Sequence, residues 1–326
     1  MTCYLPLPYF VRGFTKTGKN DMVVLSRTIA NLAKYSLRVP CGQCVGCRLD
    51  YSRQWAIRCM HESQLYDDNC FITLTYNDEF LPANKSLNYD HWVKFMKRLR
   101  RHHKGSNMVI NDEGLETYPI RFYMGPEYGD KSGRPHYHAL LFNFDFPDKE
   151  LFTIRNECRL YTSALLNSLW SCPKSGRSYG FASVGSVTFE SAAYVARYMM
   201  KKVKGDDNVL RYFTDVDPET GEIVPIAPEK ARMSRMPGLA TGWFDCFYQD
   251  VYPSDEVVLS GGRKSMPPKF YDKLFEAMNP EAYEDIKVLR LDAAYKNKWN
   301  NSQERLEVRR VCKEKSIESL VRNIDL

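Results

Sequence analysis

The chain has 326 residues, 44% of them apolar, 13% aromatic and 26% charged, and a net charge of +6. These are the values of an ordinary soluble globular protein whose positive balance permits a polyanionic partner. The sequence holds no run of about 18 apolar residues, which excludes a membrane-spanning helix of the usual kind. The opening stretch MTCYLPLPYFVRGF lacks the charged, apolar and small-residue order of an export signal, so the expected place of action is the cytoplasm, with no membrane partner. In that reducing setting the ten cysteines are expected as thiols or metal ligands.

In chain order, RLDYSRQWAIRCMHESQLY at 48–66 predicts a helix, and CFITLTYND at 70–78 a buried strand ending in turn-forming Asn77 and Asp78. NYDHWVKFMKRLRRHHK at 88–104 predicts a second helix with Trp92, Phe95, Met96 and Leu99 on one stripe and a cationic remainder. Strands follow at 120–125 and 136–144, then a helix at about 148–171, a strand at 181–189 and a helix at 190–204. Residues 205–268 are rich in Pro and Gly, and further helices are expected at 268–279 and 281–322.

The order β-α-β-β-α-β-α suits an α+β fold, a central antiparallel sheet of ferredoxin-like type with helices on one face and a helical C-terminal extension. The expected divisions are a cysteine-containing N-terminal segment (1–66), a core (67–204) and a C-terminal region (205–326).

Alternation along a strand sends His136 and His138 to one face and Tyr137 to the other. Two imidazoles on one rigid face can chelate a divalent cation, and Glu127, one loop earlier, is the natural third ligand. A carboxylate beside two imidazoles favours Mg²⁺ or Mn²⁺ over a closed thiolate site. On the helix at 190–204, Tyr194 and Tyr198 stand about 40° apart around the axis, with Lys201 and Lys202 close to the same face. A phenol, with an unperturbed pKa of about 10, attacks a phosphodiester only when a metal polarises the phosphate and a cation favours phenolate.

The ordered set Thr73-Leu-Thr75-Tyr76, Glu127, Arg134-Pro-His136-Tyr-His138 and Tyr194-Val-Ala-Arg-Tyr198-Met-Met-Lys-Lys202 resembles the three motifs of the HUH endonucleases of rolling-circle replication. The stretches PCGQCVGCRLDYSRQWAIR and EYGDKSGRPHYHALLF look like those of replication initiators from gokushoviruses, within the microvirus family. The resemblance covers roughly residues 38–204, departing from it in the bulky Tyr137 between the histidines.

It implies that His136, His138 and Glu127 bind the cation, that Tyr194 and Tyr198 are alternating nucleophiles, and that Lys202 assists. The residues alone do not choose between Lys201 and Lys202. Thr73, Thr75 and Tyr76 match the first motif, in a structural or a substrate-contacting role. The implied function is nicking and rejoining of single-stranded DNA at a replication origin, through a 5′-phosphotyrosine and a free 3′-hydroxyl, in the cytoplasm of a bacterial host. No G-x-x-x-x-G-K-[ST] occurs, so unwinding falls to a host helicase and synthesis to a host polymerase. The rivals are a non-catalytic nucleic-acid-binding module and a related relaxase or transposase.

Cys41, Cys44 and Cys47 form C-x₂-C-x₂-C, spaced to converge on one soft metal such as Zn²⁺, with Cys3, Cys59, His61 or Cys70 as candidate fourth ligand. Lys94, Lys97, Arg98 and Arg101, on the helix at 88–104, are candidate phosphate contacts, together with Thr75 and Tyr76 of the preceding strand.

Overall fold

The structure is a computed structural model and describes residues 3–15, 20–24, 38–111, 113–129, 132–155, 158–198, 212 and 220–318. The chain divides into two compact units, one built from Met1–Tyr51 with Glu276–Val321 and the other from Ser52–Phe275. This division cuts across the three segments expected from composition, because the two ends of the chain belong to one unit.

In the first unit, β1 (Leu7–Phe14) pairs antiparallel with β2 (Asn20–Val24) and β3 (Arg38–Val39). The remaining described elements in chain order are α1 (Val45–Ser63), β4 (Asn69–Leu74), α2 (Tyr89–His102), β5 (Val109–Ile110), β6 (Glu116–Thr117), β7 (Arg121–Tyr128), β8 (Pro135–Phe142), β9 (Lys149–Arg155) and β10 (Cys158–Ser163). They continue with α3 (Ala164–Leu169), β11 (Ala182–Gly185), α4 (Phe189–Tyr198), β12 (Arg232–Met233), α5 (Thr241–Val251), β13 (Val257–Val258), β14 (Lys264–Ser265), α6 (Lys269–Met278), α7 (Pro280–Lys296) and α8 (Gln303–Glu318). Among the described residues, no helix is long and apolar enough to cross a membrane.

The second unit is organised on a seven-stranded sheet in the order β12-β7-β8-β4-β11-β10-β9, with every neighbouring pair antiparallel. The α+β class expected from the sequence holds. Helices cover both faces of the sheet rather than one. On one face Ile72, Leu74, Tyr137, Ala139 and Leu141 pack with Trp92, Phe95, Met96 and Leu99 of α2 and Leu166 and Leu169 of α3. On the other, Phe71, Tyr123, Leu140 and Phe142 pack with Ala56 and Cys59 of α1 and Ala192, Val195 and Ala196 of α4. The physical reason was present in CFITL and ALLF, which are continuous apolar runs. A strand with one wet face alternates, whereas one buried on both faces does not.

Helix α2 forms as its pattern predicts: Asn88 caps it by accepting from the Asp90 amide at 3.1 Å, and its four apolar residues are buried. The helix expected at 148–171 is instead the β9–β10 hairpin, with α3 restricted to six residues behind its Ser163 cap. Phe152, Thr153, Ile154, Tyr161 and Thr162 are β-branched or aromatic and prefer an extended backbone, which outweighs the weak helical period. The long C-terminal helix is interrupted at Lys298–Asn301, and the Pro/Gly-rich segment contains α5 and the β13–β14 pair.

Candidate active site

The site grows from the register of two neighbouring strands. In the β7–β8 pair, Glu127 lies opposite His136 and Gly125 opposite His138; in the β4–β8 pair, Thr73 lies opposite His138. Directly opposed and diagonal residues on one face of an antiparallel pair are close enough for side chains to meet. Glu127 reaches His138 along the diagonal, Oε2 to Nε2 at 3.4 Å. On its other side, His138 Nδ1 shares a 3.0 Å hydrogen bond with the Thr73 hydroxyl. When Nδ1–H donates to Thr73, Nε2 presents a lone pair beside the carboxylate, the tautomer that a metal ligand requires. The His136 and His138 rings lie 6.4 Å apart and nearly parallel, 9° between planes.

These groups are shielded from water, with His138 4% and Glu127 7% exposed. Burial lowers the His136 pKa, and the neighbouring His138 adds to the effect, so the imidazole is held neutral and able to coordinate.

Helix α4 brings Tyr194 onto the same face. The Tyr194 ring stands edge-on to His138 at 5.1 Å, and Phe71 lies against both, 5.9 Å from His138 and 6.4 Å from Tyr194. Such an approach needs a gap in the sheet surface, and Gly125 provides it. A Cβ there would stand 2.8 Å from the Val195 carbonyl oxygen and 3.0 Å from its Cγ1. From the outer side, the Ser52 hydroxyl of α1 donates to the Ala193 carbonyl at 3.0 Å. Tyr198 ends α4, but its side chain, like Lys201 and Lys202, lies outside the described residues.

The structure thus brings together His136, His138, Glu127 and Tyr194 and adds Thr73 and Phe71 to them. Phe71 and Gly125 carried no chemical motif. A glycine inside the strand RFYMGPEY was nonetheless a legible sign of close backbone approach.

The residues expected at DNA are placed differently. Tyr76 is buried on the opposite face, bonded to His91 Nδ1 at 2.9 Å and to the Tyr137 hydroxyl at 3.3 Å, and tilted against Trp170 and Tyr179. Burial raises its pKa far above that of a free phenol, and its ring is core rather than a stacking platform. Arg98 donates to the carbonyls of Leu169 at 3.0 Å and Ser171 at 3.1 Å, closing the end of α3. Thr75 is half-buried and donates to the Phe181 carbonyl at 2.8 Å. Lys94, Lys97 and Arg101 are exposed, Lys94 in a surface pair with Asp90, on a helix that covers the face turned away from the histidines.

Tyr137 does not point outward but is fully buried, both donating to the Asn88 carbonyl and accepting from its amide at 2.9 Å. The bulky residue between the histidines anchors the strand from behind.

A second group lies in the other unit. The thiols of Cys3, Cys41, Cys44 and Cys47 all lie within 4.8 Å of one another, the one such His, Cys, Asp or Glu group among the described residues. Of the candidate fourth ligands, Cys59 and Cys70 are core residues, and His61 bonds the Tyr271 hydroxyl at 2.7 Å.

The sequence pattern of a family described as replication-associated protein ORF2 matches residues 69–203, which include β4, β7, β8 and α4. Replication-associated protein VP4 of Bdellovibrio phage phiMH2K is 33% identical over 286 residues, 87% of this chain and 80% of that protein. Replication-associated protein ORF2 of Spiroplasma virus 4 is 32% identical over 248 residues, 73% of this chain and 68% of that protein. Replication-associated protein ORF4 of Chlamydia phage 1 is 26% identical over 258 residues, 76% of this chain and 56% of that protein. No solved structure matches the chain. This chain belongs to the family of microvirus-type phage replication-associated proteins.

Proposed function

We propose that the chain initiates rolling-circle replication by nicking single-stranded DNA at the origin and holding the cut end on a tyrosine. The observation that carries this reading is the meeting of Tyr194 and Glu127 at His138, with ring centroids 5.1 Å and ligand atoms 3.4 Å apart on one sheet face.

Two imidazoles and a carboxylate are a donor set suited to Mg²⁺ or Mn²⁺, and the Thr73 bond supplies the outer-shell orientation that metal-binding histidines need. His136, His138 and Glu127 would hold the cation, which when bound neutralises and polarises the scissile phosphate.

The Tyr194 oxygen attacks phosphorus, forming a phosphotyrosine as the bond to O3′ breaks. The phenol proton passes to the departing 3′-oxygen, leaving the hydroxyl that a host polymerase extends after a host helicase opens the duplex. One phosphodiester replaces another, so no nucleotide is consumed. Tyr198 makes the second cut, and the new 3′-hydroxyl then attacks the first phosphotyrosine, closing a circle and regenerating the phenol. Lys202 or Lys201 favours the phenolate.

The test is incubation with circular single-stranded origin DNA and Mn²⁺, resolved on a denaturing gel. A metal-dependent protein–DNA adduct is expected, absent from Tyr194→Phe/Tyr198→Phe and from His136→Ala/His138→Ala. DNA binding without any adduct on origin-bearing DNA would instead make the chain a binding module.

A further inference from the structure

We infer that Cys3, Cys41, Cys44 and Cys47 form a closed, structural site for one zinc ion, with Cys3 as the ligand that the sequence spacing leaves unassigned. The cysteines come from distant parts of the chain: Cys3 precedes β1, Cys41 and Cys44 lie between β3 and α1, and Cys47 is in the first turn of α1. Cysteines serving only as small apolar residues have no reason to converge four at a time.

Geometry distinguishes one ion from a cluster. Tetrahedral zinc with bonds of about 2.3 Å holds its thiolates about 3.8 Å apart. Cys44 Sγ and Cys3 Sγ are separated by 3.9 Å, and all four ligand atoms fall within 4.8 Å. A polynuclear iron–sulfur cluster attaches each cysteine to a different iron and spreads its thiolates further. A disulfide would join two of the four and leave the other pair unexplained.

The backbone is arranged for thiolates. Gly42 adopts φ +72°, a left-handed conformation open to glycine at little cost, and the following amides of Gln43 and Cys44 donate to Cys41 Sγ at 3.4 and 3.2 Å. The Cys41 amide donates to Cys3 Sγ and the Tyr4 amide to Cys44 Sγ, both at 3.3 Å. Amides directed at sulfur stabilise it in the charged, metal-binding form, as outer-shell groups do at metal centres. Cys3 and Cys44 are buried, and Cys41 and Cys47 half-buried, which leaves no open position for substrate. The assignment is therefore structural, and binding energy at such a site is folding energy. It stands independently of the nuclease reading, because the cysteines and the histidines lie in different units.

Full-length protein purified under reducing conditions without added metal is expected to carry one zinc per chain by elemental analysis. After chelation, Co²⁺ titration should give the visible bands of tetrahedral cobalt and the charge-transfer intensity of four thiolates. Cys3→Ser and Cys44→Ser should lose the zinc, while Cys312→Ser, altering an exposed cysteine of α8, should keep it. Metal-free protein with no cobalt bands overturns the inference, as does iron with labile sulfide. Undiminished zinc in Cys3→Ser removes Cys3 from the site. Should the serine variants fail to fold, the charge-transfer intensity of the native chain still decides, three thiolates counting against Cys3.

Discussion

The two faces of β8 have opposite characters within one eight-residue strand. Tyr137, Ala139 and Leu141 enter a continuous aromatic and aliphatic core beneath α2, where Tyr76, Tyr137, Trp170 and Tyr179 touch one another. His136 and His138 enter a face covered by small residues of α4, where the polar groups Glu127 and Thr73 gather. The dense face fixes the strand so that the sparse face can hold reactive groups within hydrogen-bond tolerance. That is the support a preorganised site demands.

Substitutions separate the two. The largest stability effect is expected at a buried pair beside the histidine face, where Glu62 meets the Arg121 guanidinium and accepts from the Ala240 amide. Glu62→Ala leaves Arg121, only 7% exposed, without its counter-charge and should cost about 3–5 kcal/mol in chemical denaturation. Gly125→Ala pushes α4 off the sheet, since its new Cβ would meet the Val195 carbonyl. Displacing Tyr194 by about an ångström should reduce single-turnover nicking roughly a hundredfold with DNA affinity retained. An unchanged rate would show that the approach of α4 does not set the geometry.

Smaller effects distinguish outer shell from core. Thr73→Val removes the partner of His138 Nδ1 at nearly constant volume, and apparent Mn²⁺ affinity in the nicking assay should fall about tenfold to a hundredfold. Tyr137→Phe deletes a hydroxyl bonded to Asn88 and Tyr76 and should cost about 1 kcal/mol of stability while leaving the nicking rate of the folded protein intact. If nicking instead fell while stability held, the separation of the two faces would be wrong.

Legibility followed the range of the interaction. The stripe of α2 and the strands β4, β7, β8 and β11 were readable because helical and strand periods are local properties of the chain. The shared side of His136 and His138 was readable from alternation alone. The hairpin at 149–163 was misread because a helical period in a mixed segment is weak and strand pairing is not visible locally. Tyr76, Arg98 and Tyr137 were misplaced outward for a related reason: polar tips and cationic heads suggest solvent, whereas buried partners absorb them here.

By itself the sequence determined the antiparallel α+β class, the His-x-His pair with its carboxylate and the tyrosine helix, since each depends on periodicity or short spacing. Only the tertiary structure decided that both faces of the sheet are covered. It also decided that Thr73 orients His138, that Gly125 admits Tyr194, and that Cys3 rather than Cys59, His61 or Cys70 joins the cysteine group. Each of these is a contact between segments far apart in the chain, fixed by strand register and close packing, which no local pattern of residues encodes.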